Sequence, residues 1–264
     1  LGASKDFKGK SERGLYGDVI EELDWSTGKI IDLLRELNLE ENTYVIYTSD
    51  NGPWYLRQDH GGSAYPLRSH KVSTWEGGHR VPCIMYAPGR IPTGTICEEV
   101  ATTMDLLPTF TPLAGGQLPK DRVIDGRNII DFLHGDENPK VENKPYYYYL
   151  WTHLQAVRHG DWKLVLPRPS RPEWLKHLVT TDHIDPIDRP EIESPQLYNL
   201  RYDIGESEDW SNMYPDIVER LLKLAEEARN EVGDYNVIGS GQRQYYEDKP
   251  LEPIAQYRLE KDAQ

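Results

Sequence analysis

Asp50 and Asn51 stand side by side in Thr48-Ser49-Asp50-Asn51-Gly52. Some twenty residues on, Lys71 precedes the glycine-rich run Trp75-Glu76-Gly77-Gly78-His79-Arg80-Val81-Pro82. A carboxylate and an amide are hard oxygen donors. With a fixed ammonium nearby they suit a divalent cation that holds an oxyanion ester. Taken singly, Asp-Asn-Gly is an ordinary turn and Lys71 an ordinary surface lysine; the order of the segments gives them weight. The stretch between them holds three further candidates for substrate contact. Trp54 could stack on a leaving group, His60 could act as an acid beside it, and His70 flanks the lysine. Glu76 and Arg80 are expected to form a buried ion pair under the turn. His153, His159, His177 and His183 lack the spacing of a zinc site.

The elements that must position these residues are legible as patterns. Tyr16, Val19, Ile20, Leu23, Thr27, Ile30, Ile31 and Leu34 recur at steps of three and four, which predicts an amphipathic helix over residues 12–38. Thr43 to Thr48 is β-branched and aromatic without polar alternation, the signature of a strand buried on both faces in a parallel sheet. Asp50 then falls past the carboxyl end of that strand, where open α/β sheets place ligands. Pro53 to Ser73 is a long loop of the kind that carries function. Val81 to Tyr86 is a second buried strand, with Cys83 expected as a buried thiol. A helix is expected to begin near Thr103. Asp125-Gly126-Arg127-Asn128 reads as a turn, followed by a short helix over 129–133.

The pattern changes at Lys144-Pro145. An aromatic strand over 146–151, a hairpin across His159-Gly160-Asp161, a strand over 196–200 and a helix from Pro215 to Val232 predict a small antiparallel sheet with one helix. Pro167 to Pro195 reads as an inserted loop, and the tail after Gly239 as extended. Residues 1–144 are therefore expected to belong to an α/β domain and 145–264 to a smaller α+β subdomain.

The 264 residues carry a net charge of −14, which excludes a chain that neutralises nucleic-acid phosphates. An acidic total does not exclude an anionic substrate, because one pocket with a metal and a lysine reverses the local field. No apolar run reaches the roughly 20 residues of a membrane span. Two cysteines, Cys83 and Cys97, make no disulfide framework.

Five segments in order, Asp50-Asn51-Gly52-Pro53-Trp54, Gly61 to Arg68, Lys71, Trp75 to Pro82 and Met104-Asp105-Leu106-Leu107-Pro108-Thr109, resemble the formylglycine-dependent type I sulfatases, bacterial arylsulfatases in particular. The resemblance runs from about Asp6 to Val232. It implies part of an alkaline-phosphatase-like mixed α/β sheet flanked by helices. It also implies Asp50 and Asn51 as Ca²⁺ ligands, Lys71 as a catalytic group on the sulfate, and export to the periplasm or outside the cell. The family nucleophile is a formylglycine made from Cys or Ser in Cys/Ser-x-Pro-x-Arg, and no such motif occurs in these 264 residues. The chain is therefore expected to be a C-terminal portion of a sulfuric ester hydrolase whose partner is the missing N-terminal half. Two alternatives stand beside that reading: a phosphodiesterase or phosphonate hydrolase of the same superfamily, or a non-catalytic fragment acting as a binding module. Family members often carry glycine on both sides of the lysine; here the flanks are His70 and Val72.

Overall fold

The computed structural model describes residues 1–170 and 190–242. The chain divides into two compact units. One comprises Gly2–Ser49 and Pro82–Asn143; the other comprises Asp50–Val81 and the chain from Lys144 on. Among the described residues no helix is long and apolar enough to cross a membrane.

In the first unit, helix α1 (Gly14–Glu36) forms as its periodicity predicts. Asp18 tethers the incoming chain: its carboxylate accepts the amides of Gly9, Lys10 and Ser11 at 2.7, 3.0 and 2.8 Å. Those bonds, Gly9 foremost, hold its carboxyl below the ordinary value. The apolar stripe is only partly covered, since Ile20, Leu23 and Ile30 remain 42%, 45% and 57% exposed.

Strand β1 (Val45–Thr48) pairs antiparallel with β2 (Cys83–Tyr86), Val45 opposite Tyr86 and Thr48 opposite Cys83. This corrects the parallel, doubly buried strand expected there. Among the described residues the two strands form a ladder of their own, and β1 is half-buried at best. The same geometry corrects Cys83, which is exposed on this ladder rather than sealed in a core. Its thiol is nonetheless pushed up, by partial desolvation.

Helices α3 (Leu106–Leu113) and α4 (Ile130–His134) complete the unit. Asp105 joins them. It closes a capping box with Thr102 and accepts the Arg127 amide at 2.7 Å.

The second unit is built on a four-stranded antiparallel sheet in sequence order: β3 (Tyr146–Leu150), β4 (His153–His159), β5 (Trp162–Val165) and β6 (Gln196–Asn199). The hairpin across Gly160 forms as expected. One face packs on α5 (Pro215–Glu231), where Leu154, Val157, Leu164, Leu166 and Leu197 meet Leu221, Ala225 and Ala228. A short ribbon, β7 (Gly233–Asp234) with β8 (Val237–Ile238), follows α5. The other face holds Tyr148, Ala156, Val165, Tyr198 and Leu200 around Trp75, which comes from the Asp50–Val81 segment. The segment expected to carry the chemistry is thus packed against the C-terminal sheet. Most of the Pro167–Pro195 loop, with His177 and His183, and the tail beyond Gln242 lie outside the described residues.

Candidate active-site segment

Residues 50–53 and 68–78 are laid side by side by backbone bonds. The Gly52 amide donates to the Gly78 carbonyl at 3.0 Å, and the Lys71 amide donates to the Pro53 carbonyl at 3.0 Å. The approach is so close that a Cβ on Gly52 would stand 1.9 Å from the Gly77 carbonyl oxygen. Glycine in Asp-Asn-Gly is therefore a packing requirement here.

The turn carrying Lys71 is strained. Ser69 and Val72 take φ of 64° and 67°. A β-branched residue in that left-handed region is a genuine outlier. Val72 has adopted the conformation that glycine would supply, so the departure from the flanking glycines is absorbed as strain. What imposes it is local bonding. The Ser73 hydroxyl donates to the His70 carbonyl at 2.8 Å, the Gly77 amide donates to the Arg68 carbonyl at 2.8 Å, and His70 Nδ1 lies 2.8 Å from the Lys71 carbonyl oxygen.

Beneath the turn lies an ion cluster that no short-range pattern announces. Lys163 on β5, wholly buried, directs Nζ at Glu76 Oε1 (3.0 Å), Glu206 Oε1 (2.7 Å) and the Thr74 carbonyl (2.8 Å). The Glu206 contact is an ion contact, at an angle that does not make a hydrogen bond. The Tyr148 hydroxyl donates to Glu76 Oε1 at 2.7 Å, and Arg158 stands 3.4 Å from Oε2. Glu206 Oε2 in turn accepts the Glu76 amide at 2.7 Å, capping the single-turn helix α2 (Glu76–His79).

Burial alone would raise the Glu76 carboxyl. Lys163, the Tyr148 hydroxyl and Arg158 outweigh it and hold Glu76 below its ordinary value. In Glu206 burial wins and the negative charge of Glu76 adds to it, so that carboxyl is pushed up. His79, desolvated and facing Lys163, drops to about 4. The expected Glu76–Arg80 pair is thereby corrected. Arg80 is exposed, and the cations of Glu76 come from β4 and β5, more than eighty residues along the chain. Arg68 stacks on Trp75 at 3.5 Å and donates to the Glu206 carbonyl at 2.9 Å, closing the cluster on the turn side.

The remaining candidates fall as follows. Asp50 is exposed and Asn51 half-buried. Among the described residues no three His, Cys, Asp or Glu side chains gather closely enough to hold a metal. The adjacent carboxylate and amide match calcium in donor type but supply only part of the six to eight oxygens it takes. Lys71 is half-buried, with Nζ 5.4 Å from the centroid of Trp54, which is 39% exposed. His70, only 6% exposed, lines an open cavity of about 270 Å³ with Pro53, Gly62, Ser63, Ala64, Tyr65, Leu67 and Ser69. His60 is exposed at the end of a 3-10 segment, Tyr55–His60. His153 is buried against Tyr235 and depressed to about 4, mainly by desolvation, which fits a structural part.

Comparison with known proteins decides the family. The sulfatase family model matches residues 2–116, and that for the C-terminal region of aryl-sulfatase matches residues 141–257. This chain belongs to the sulfatase family. Human steryl-sulfatase is 39% identical over 192 residues, covering 71% of this sulfatase chain and 32% of the human protein. Mouse N-acetylgalactosamine-6-sulfatase is 34% identical over 238 residues, covering 85% and 45%. The chain spans about a third of the length of most of the curated relatives it matches.

Among solved structures, PsFucS1 sulfatase from Pseudoalteromonas superposes with a TM-score of 0.71 at 28% identity, over 85% of this chain and 44% of that one. Ps i-CgsB, crystallised with a neocarrahexaose, does so at 0.65 and 26%, over 84% and 44%. The sulfatase chain has the mixed α/β architecture of these alkaline-phosphatase-like enzymes.

Proposed function

We propose that this chain supplies part of the calcium and sulfate site of a sulfuric ester hydrolase. Asp50 and Asn51 contribute oxygen ligands to Ca²⁺, and Lys71 contacts the sulfate. The observation that carries the reading is the backbone pairing of Gly52 with Gly78 and of Lys71 with Pro53. It brings the Asp-Asn pair and the lysine onto adjoining segments of one tightly packed turn. When bound, calcium supplies positive charge to the sulfate oxygens. The chain's own part is to hold the lysine ammonium beside the ester, where it offsets charge building on the oxygens as the S–O bond breaks. The strained turn and the buried cluster beneath it keep that ammonium in place before substrate arrives.

His70 shapes the cavity wall and Trp54 offers a face to the leaving group. His60, exposed in the same loop, serves as a proton donor to the leaving group. The formylglycine nucleophile and the rest of the metal shell belong to another part of a sulfatase domain, because these 264 residues contain no Cys/Ser-x-Pro-x-Arg. Export to the periplasm or outside the cell is part of the same proposal and rests on the family alone.

The test is turnover of an aryl sulfate and of the matched phosphate ester, by this chain alone and with the N-terminal portion of a sulfatase domain added. The expected result is no turnover alone, and sulfate turnover on addition that Lys71→Ala abolishes. Turnover by the isolated chain, or preference for the phosphate ester, refutes it. Calorimetric titration with Ca²⁺ gives an independent check, weakened by Asp50→Ala.

A further inference from the structure

The turn that carries Lys71 has a second cation beside it. The guanidinium carbon of Arg57 lies 4.2 Å from the centroid of the Trp54 ring, the same ring that Lys71 Nζ approaches at 5.4 Å. Both Arg57 and Trp54 are exposed. Two cations therefore share one exposed aromatic ring. Stacking engages the face of a guanidinium and not its N–H edge, and that edge is the part that grips a carboxylate or sulfate with two parallel bonds.

Two further observations converge on the same place. Gln58 interrupts the 3-10 segment with φ 51° and ψ −123°, a sparsely populated conformation one residue from Arg57. Strain of this kind is concentrated where a side chain must be held in place for function. The chain as a whole carries −14, so no diffuse positive field draws anions to it, and a polyanion must be recognised by cations placed locally. The open cavity lined by Pro53, Ser63, Tyr65, Ser69 and His70 belongs to the same loop and offers both an aromatic ring and hydroxyl groups to a polyhydroxylated ligand.

We propose that Arg57, stacked on Trp54 beside Lys71, forms a subsite for a second anionic group of the substrate, so that the chain serves sugars bearing a further sulfate or a carboxylate besides the ester that is cleaved. The proposal rests on the reading of Lys71 as the sulfate contact. A neutral aryl or steryl leaving group would leave Arg57 with nothing to bind.

Calorimetry on the full chain at fixed salt tests it with three probes. These are a monosulfated hexosamine, the same hexosamine with two sulfates, and the monosulfated hexosamine linked to a uronic acid. In the unmodified chain one or both dianionic probes bind about tenfold more tightly than the monosulfated one, about 1.4 kcal/mol. Which of them gains identifies the second anion as sulfate or carboxylate. Arg57→Ala removes the gain and leaves the monosulfated probe within about twofold, while Arg57→Lys restores only part of it because lysine lacks the planar fork.

A gain that survives Arg57→Ala, or no gain in either dianionic probe, overturns the subsite while leaving the sulfate site intact, provided that Lys71→Ala still weakens all three probes. If no probe binds, or Lys71→Ala changes nothing, the sulfate-site reading fails and the subsite falls with it. Both substitutions are on exposed or half-buried side chains, so an unchanged far-ultraviolet circular dichroism spectrum accompanies each measurement.

Discussion

Replacing Lys163 by methionine tests whether the buried cluster is what fixes the Lys71 turn. The substitution keeps most of the side-chain volume and deletes the ammonium that stands 3.0 Å from Glu76 and 2.7 Å from Glu206. Breaking a buried pair by removing one partner costs about 3–5 kcal/mol. Arg158 remains 3.4 Å from Glu76 and the Glu76 amide still reaches Glu206, so the loss belongs at the lower end, about 3 kcal/mol at pH 7.

A second estimate agrees. The variant can escape the penalty by protonating one carboxyl, whose ordinary value is 4.5. At about 1.36 kcal/mol per pH unit, that route costs about 3.4 kcal/mol at pH 7 and about 0.7 at pH 5. The sign follows from linkage. A carboxyl raised in the folded variant binds its proton more readily than the unfolded chain does, so the variant gains stability relative to the parent as pH falls and loses it as pH rises. Urea unfolding of both proteins at pH 5, 6, 7 and 8 measures the difference. His79 provides a local readout: without Lys163 its pKa should rise from about 4. A penalty below about 1 kcal/mol at pH 7, or one that does not change with pH, would refute the assignment of the cluster as the anchor.

Gly52→Ala should disrupt the pairing of residues 50–53 with 68–78, since the added Cβ meets a backbone oxygen at 1.9 Å; a loss of about 2 kcal/mol or more in urea unfolding is expected, and a neutral result would show that the two segments move apart freely. Val72→Gly should be neutral or stabilising by about 1 kcal/mol, opposite to the usual effect of glycine, because it releases a valine at φ 67° that is 38% exposed; a loss above about 1 kcal/mol contradicts the strain. His79 and His153 are both depressed to about 4, so folding stability should fall as pH drops from about 6.5 towards 4, by up to about 3 kcal/mol for each, and a flat profile over that window would count against their burial as neutral rings. Their replacement by glutamine, one at a time, should flatten the corresponding part of the profile.

Local periodicity carried much of the fold. The steps of three and four in α1 and α5, the hairpin across Gly160 and the aromatic strand β3 all form where the patterns place them. Each is decided within a dozen or so residues. What was not legible depends on distant partners. Thr43 to Thr48 has the composition of a doubly buried strand, but among the described residues its ladder neighbour is antiparallel β2, a fact set by residues forty positions away. Arg80 is the natural partner for Glu76 by proximity in sequence; the true partners sit on β4 and β5 and face inward only because the sheet's pleat turns Arg158 and Lys163 toward Trp75.

In the candidate site, the order of the motifs singled out Asp50, Asn51 and Lys71 as candidates, whereas the stacking of Arg57 on Trp54 left no signal beyond a cation three residues after a tryptophan. The left-handed conformation at Val72 could have been inferred from the glycines that usually flank this lysine.

The hydrogen bond between the Glu76 amide and Glu206 joins residues 130 positions apart. During synthesis the lysine-bearing turn therefore emerges from the ribosome long before the groups that clamp it. While some 130 further residues are added, the strain at Ser69 and Val72 is held by local bonds alone, and Trp75 has no sheet to cover it. The nascent chain must carry that aromatic surface unprotected until β3 to β6 and Glu206 arrive. This makes the interval between the synthesis of Trp75 and that of Glu206 a window in which the nascent chain is open to chaperones and to aggregation.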